Sequence, residues 1–93
     1  MAIFFQWDQN KARINLEKHN IAFEEASTVF KDAESLTIPD PVHSIDEERL
    51  IILGYSYKNR LLVVVHTYRH DHIRIINARM ATKRERKIYE EKK

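Results

Sequence analysis

The stretch that decides the fold runs Leu50-Ile51-Ile52-Leu53-Gly54-Tyr55-Ser56-Tyr57, Lys58-Asn59-Arg60, Leu61-Leu62-Val63-Val64-Val65-His66-Thr67-Tyr68, Arg69-His70-Asp71-His72, Ile73-Arg74-Ile75-Ile76-Asn77-Ala78. Its three apolar runs are rich in β-branched and aromatic residues, which pack well on a pleated surface and mark strands. Lys58-Asn59 is a turn signal, since Asn tolerates positive φ, and His70-Asp71 is the second turn. Links this short join antiparallel neighbours, so the three runs form a meander. With His70-Asp71 as a two-residue hairpin turn, Arg69 faces His72, Thr67 faces Arg74 and Val65 faces Ile76. Thr67, Arg69 and Arg74 then share one face, because side chains alternate along a strand. Asn77 and Arg79 alternate away from Arg74, toward the other face or the rim.

Outward from the meander, Ile3 to Trp7 is a short aromatic and apolar run that suits a first strand. Asp8 offers an N-cap for a helix to about His19, and Asn20 suits its left-handed end. Phe23, Ala26 and Phe30 recur at helical spacing, giving a second short helix over 23–31. Residues 32–48 carry both prolines and read as a loop with one short strand around Leu36–Ile38. Thr82 and Glu85 have the spacing of a capping box, which opens a charged C-terminal helix to about Glu91. The expected architecture is α+β: a small antiparallel sheet, two N-terminal helices and a C-terminal helix, with the helices over one face.

Ninety-three residues fit one domain, here residues 1–93. With no cysteine, neither a disulfide framework nor a thiolate metal site is available. The N-terminus lacks a basic n-region and a long apolar stretch, and the longest apolar runs, Leu50–Leu53 and Leu61–Val65, are far too short to cross a bilayer. A soluble cytoplasmic protein that makes no use of membranes is the expectation. The net charge is only +2, but it is unevenly spread. Residues 32–48 hold Asp32, Glu34, Asp40, Asp46, Glu47 and Glu48 with no Lys or Arg, whereas residues 60–87 hold eight basic residues against Asp71 and Glu85. Such polarity is a footprint for a polyanion, or else an uneven solvated surface.

Two arginines side by side on a sheet repel unless something anionic lies between them. A phosphate suits them, since its oxygens match the guanidinium fork; a carboxylate of the same chain is the structural alternative. Arg49, beside Glu47-Glu48, is equally a phosphate ligand or an internal ion-pair partner. On the first helix Lys11, Asn15, Lys18 and His19 share a face, where Asn15 and His19 alternatively satisfy nearby backbone. His70-Asp71-His72 is a weak metal signal with no third distal ligand. His66 in a valine-rich strand reads as a packed residue, and His43 has no motif around it. The single glycine, Gly54, cannot supply a phosphate loop.

The ordered set Trp7-Asp8, Lys11, Asn15, Lys18-His19, Phe23-Glu24-Glu25-Ala26, Phe30, Glu48-Arg49, Gly54, Thr67, Arg69, Arg74-Ile75-Ile76-Asn77-Ala78-Arg79, Ala81, Glu85 and Tyr89 resembles the BrnT toxins of type II toxin–antitoxin systems, whose fold is similar to that of the RelE ribonucleases. Two positions depart from the family pattern: Asn20 stands where Gly is usual, and Asn77 where Ser is usual. The resemblance implies a metal- and cofactor-independent endoribonuclease that blocks translation and is neutralised by a ribbon-helix-helix antitoxin. It also implies a hetero-oligomer that reaches DNA only through the antitoxin. On this reading Arg69, Arg74 and Arg79, with Arg49, clamp the phosphate, and His19, Lys18 or Glu48 moves the proton, an imidazole being suited to that near neutral pH. Trp7, Lys11, Thr67, Asn77 and Arg84 would touch RNA, although Trp7 equally suits the core. The rival readings are a non-catalytic RNA- or ribosome-binding module and a corepressor active only within a DNA-binding complex.

Overall fold

Asp8 takes up extended backbone and its carboxylate accepts the Lys11 amide at 3.0 Å, so the first helix starts where the sequence signals it. In this computed structural model, which describes residues 3–40, 42 and 47–92, the chain order is β1 (Phe4–Gln6), α1 (Gln9–His19), α2 (Phe23–Ser27), a 3-10 turn (Thr28–Lys31), β2 (Leu36–Pro39), β3 (Leu50–Tyr55), β4 (Leu61–Arg69), β5 (His72–Met80) and α3 (Lys83–Glu91). His43 lies outside the described residues. Asn20 closes α1 in the left-handed region, φ 57°, and donates its amide to the Leu16 carbonyl. Asn59 and His70 also have positive φ, at the two turns expected of them.

The five strands form one sheet in the order β1-β5-β4-β3-β2. The expected meander is present, but the sheet is mixed rather than antiparallel, because β1 pairs parallel to β5 (Phe4 with His72, Gln6 with Arg74). That pairing joins the two ends of the chain and has no local sequence signal.

The register differs from expectation at one point. Arg69 pairs with His72 and Thr67 with Arg74, but Val65 pairs with Asn77, leaving Ile76 as the extra residue of a bulge between Val65 and His66. A bulge inserts one residue and so resets the alternation beyond it. Asn77 and Arg79 therefore share a face with Arg74 instead of turning away from it.

The helices also divide between the two faces rather than covering one. Ile52, Leu62, Val64, Ile75 and Ala78 pack under α1 and α2 with Ile21, Phe23, Ala26 and Val29. Leu53, Leu61 and Val63 project the other way and meet Tyr89 of α3. Tyr89 donates its hydroxyl to Asp32 at 2.7 Å, and the Tyr55 amide donates to the same carboxylate at 2.9 Å. Gly54 sits where a Cβ would come within 3.1 Å of the Ser35 Cβ and 3.3 Å of the Val29 carbonyl, so a side chain there would force the 3-10 turn outward.

Two buried polar groups fix helices to the sheet. Glu25 of α2 accepts from Ser56 at 2.6 Å and from Arg60 Nε at 2.9 Å, and the Arg60 hydrogen bonds hold its carboxyl below the usual range despite burial. Asn15 of α1 uses its carboxamide as a strand mimic: Nδ2 donates to the Ala78 carbonyl at 2.9 Å and Oδ1 accepts the Ala78 amide at 3.0 Å. Nδ2 also donates to the Ile21 carbonyl at 3.0 Å. The stretch of β5 that β1 does not reach is thereby satisfied. His66 is the packed residue expected, fully buried against Phe30 and pushed below the ordinary imidazole pKa by desolvation. Among the described residues, no helix is long and apolar enough to cross a membrane.

Candidate active site

The face that carries α3 at one end carries no helix at the other among the described residues, and the pairing register determines what lies there. Thr67 is opposite Arg74, and Arg74 is opposite Gln6. Leu50 pairs with His66, so Arg49 comes immediately before the first paired residue of β3, at the end of the ladder near Thr67. The Thr67 hydroxyl donates to the Glu48 carbonyl at 2.7 Å and holds that segment in place. Thr67, Arg74 and Gln6 thus form one row across β4, β5 and β1, with Arg49 just beyond the start of β3. Arg69 and His72, paired with each other, form the next row of the same face.

The arginines are not equally available. Among the described residues Arg74 forms no salt bridge; the Asp8 carboxyl is held below its ordinary pKa chiefly by the Lys11 backbone amide, with smaller help from the charges of Arg74 and Lys11. Arg69 meets Glu47 at 3.2 Å, with side chains 44% and 34% exposed. An ion pair so open to water contributes about 0–1 kcal/mol, and an incoming phosphate can replace it. Arg79 is engaged: both ends of its guanidinium bind Glu85, at 2.8 and 2.9 Å. Glu85 also accepts the Thr82 amide at 2.8 Å and donates its own amide to the Thr82 hydroxyl at 3.1 Å, completing the expected capping box. Arg79 therefore anchors α3.

This cluster carries a pH signature. Its hydrogen bonds from Arg79, then Thr82, lower Glu85 from 4.5 to about 2. The folded pKa lies below the unfolded one, so the pair's contribution is complete above about pH 4.5 and is lost as pH falls toward about 2. Glu85→Gln is expected to flatten the acid limb of stability in that window and, above about pH 5, to lower stability by a constant amount without changing its slope, as read by urea unfolding at stepped pH. An acid limb identical to the parent's would show that the pair does not hold the helix.

The remaining candidates fall in three places. Lys11, Lys18, His19 and Asn77 line one cleft of about 160 Å³ between α1 and β5, together with Ile14, Asn15 and Ile76. His19 ends a helix of 11 residues, so it is displaced by about 16 Å of helix rise from the Asp8 end that neighbours Arg74. Trp7 turns to the core, its ring packed edge-on against Phe23 at 5.9 Å, and Thr67, on the arginine face, is only 2% exposed with its hydroxyl committed to Glu48. Glu48 and Arg84 are exposed, Glu48 beside the row and Arg84 on α3.

His72 is the functional candidate that the sequence reading missed. It shares the arginine face, its Nε2 meets the Gln6 carbonyl oxygen, and its Nδ1 lies 3.3 Å from Asp71. The pairing of Arg69 with His72 was already the signal that placed it there. Among the described residues no group of three His, Asp or Glu side chains is arranged to hold a metal ion.

A family model described as "Ribonuclease toxin, BrnT, of type II toxin-antitoxin system" matches residues 7–85. Among solved structures, the crystal structure of the Brucella abortus ribonuclease toxin BrnT superposes with a TM-score of 0.68 at 18% identity, covering 88% of this chain and 100% of that one. At that identity the likeness is one of fold. A comparison with curated protein sequences gave no match.

Proposed function

We propose, for a chain that belongs to the BrnT family of ribonuclease toxins of type II toxin–antitoxin systems, that it cleaves RNA on the open sheet face with no metal ion, using the ribose 2′-hydroxyl beside the scissile phosphate as nucleophile. The carrying observation is the pairing of Thr67 with Arg74 and of Arg69 with His72, which sets two arginines on one face, with Arg49 just before the start of β3. As the 2′-oxygen attacks, charge builds on the phosphoryl oxygens. Fixed cations aimed at that charge are commonly the largest catalytic contribution, and losing one well-placed donor costs about 10²–10³ in rate. Arg74 and Arg49 grip the phosphoryl group, and Arg69 joins by exchanging Glu47 for phosphate.

One group must take the 2′-hydroxyl proton and one must protonate the leaving 5′-oxygen. His72 stands on the arginine face and is oriented by Gln6, and Glu48 adjoins Arg49. Proton transfer through a positioned group contributes about 10²–10⁴-fold. Lys11, Lys18 and His19 guide the strand through the α1 cleft, and Arg84 adds charge on α3.

The same reading makes the protein a RelE-like translation inhibitor in the cytoplasm. A ribbon-helix-helix antitoxin neutralises it in a hetero-oligomer, and DNA contact comes through that partner. Purified chain incubated with total RNA in EDTA is expected to produce fragments. Expression alone should arrest growth, and co-expression with the neighbouring gene should relieve it. RNA that stays intact while still binding the chain would convert the reading to a non-catalytic RNA-binding module.

A further inference from the structure

We propose that the cleft between α1 and β5 is a nucleobase subsite, and that Asn77 selects adenine at the nucleotide adjoining the scissile phosphate. The inference rests on the nuclease reading above and specifies its substrate.

The bulge at Ile76 turns Asn77 onto the face of Arg74. Their partners Thr67 and Val65 are two residues apart on β4, about 7 Å at the strand rise, so one extended nucleotide can reach both. The cleft has a volume of about 160 Å³, below the roughly 300 Å³ at which drug-sized pockets begin, and so it suits a fragment such as a single base. Ile14, 46% exposed on α1, and Ile76 on β5 present apolar surface to a ring. Lys11 and Lys18 lie on the rim, where backbone phosphates on either side of an inserted base would run. The cleft holds two carboxamides, and only one is available. Asn15 is consumed by the backbone of Ala78 and Ile21, whereas Asn77 is exposed and its side chain makes no hydrogen bond among the described residues. A carboxamide presents a donor and an acceptor side by side, which matches the amino group and adjacent ring nitrogen of adenine. Single-stranded RNA exposes those edges.

The test uses the purified chain and four RNA oligonucleotides that differ only in the base beside the cleaved phosphate. Wild type is expected to cleave the adenine substrate about tenfold faster or more, the discrimination carried by one bidentate base contact. Asn77→Ala should bring the four rates within about twofold of one another, chiefly by lowering the adenine rate, with an unchanged melting temperature because the side chain is exposed. Asn77→Ser serves as a second variant and should behave in the same way. Wild-type cleavage without adenine preference overturns the subsite, and so does a preference that survives in both variants. A preference that survives while either variant weakens binding of the antitoxin assigns the cleft to the partner instead. A wild-type chain that cleaves none of the four removes the nuclease reading itself, and the subsite with it.

Discussion

Arg74→Ala is expected to lower RNA cleavage by about two to three orders of magnitude, the loss typical of one well-placed charge-stabilising donor, while the domain stays folded. Arg74 is half-buried in the middle of the open face, opposite Thr67 on one side and Gln6 on the other. It pairs with no carboxylate among the described residues, so removing it strands no partner charge. Its neighbours on the face keep their own arrangements: Thr67 remains bonded to Glu48, and Arg79 to Glu85. Arg74→Lys separates charge from geometry. Lysine keeps the positive charge but loses the planar fork that grips two phosphoryl oxygens at once, so an intermediate rate is expected. Single-turnover rates on one oligonucleotide, with melting temperatures alongside, measure both variants. Full activity in Arg74→Ala would show that the row is not the phosphate clamp.

Asn15→Leu is expected to be among the most destabilising single changes in the domain, by about 2–4 kcal/mol. Asn15 is 4% exposed, and its carboxamide serves three backbone groups: the Ala78 amide, the Ala78 carbonyl and the Ile21 carbonyl. Leucine fills a similar space but leaves these groups buried with no partner, and each such group costs about 1–3 kcal/mol before relaxation or water entry recovers part of it. In a domain of this size each kcal/mol moves the melting temperature by about 4–8 °C, so a fall of about 10–25 °C is expected in a thermal melt. Activity should fall as well, because Asn15 holds α1 against the part of β5 that carries Asn77. A melting temperature within a few degrees of the parent's would mean that water or a shifted strand satisfies Ala78 as well as Asn15 does.

Much of the fold was legible in the chain, and each failure has a physical cause. The caps at Asp8 and Thr82, the left-handed Asn20 and the turns at Asn59 and His70 are local effects, in which one or two residues decide the geometry. The bulge at Ile76 is a pairing property of two strands, and nothing in Ile75-Ile76-Asn77 announces it. Its consequence is large, because the one-residue offset brings Asn77 and Arg79 onto the arginine face. The parallel β1–β5 pair joins residues about seventy positions apart and is likewise beyond local reading. The placement of helices on both faces did leave a trace. Leu61-Leu62-Val63-Val64 is continuously apolar rather than alternating, the mark of a strand buried on both sides. Of the candidate site, the shared face of Arg74 and Arg69 was legible from turn geometry and alternation. Arg79 was not, because its partner Glu85 lies six residues ahead across a strand-to-helix corner. Trp7 and Thr67 are types that can either pack or bind; Trp7 packs against Phe23 and Thr67 is buried.

The most direct measurement replaces one atom. An oligonucleotide cleaved by the purified chain in EDTA is made again with a single 2′-deoxyribose at the nucleotide 5′ to the scissile phosphate. Cleavage at that position should disappear, while the all-ribose control yields a 2′,3′-cyclic phosphate and a 5′-hydroxyl. Continued cleavage of the deoxy substrate at the same phosphate, or an all-ribose control that is cut only when a divalent metal is added, would contradict a face of fixed arginines acting on RNA's own nucleophile.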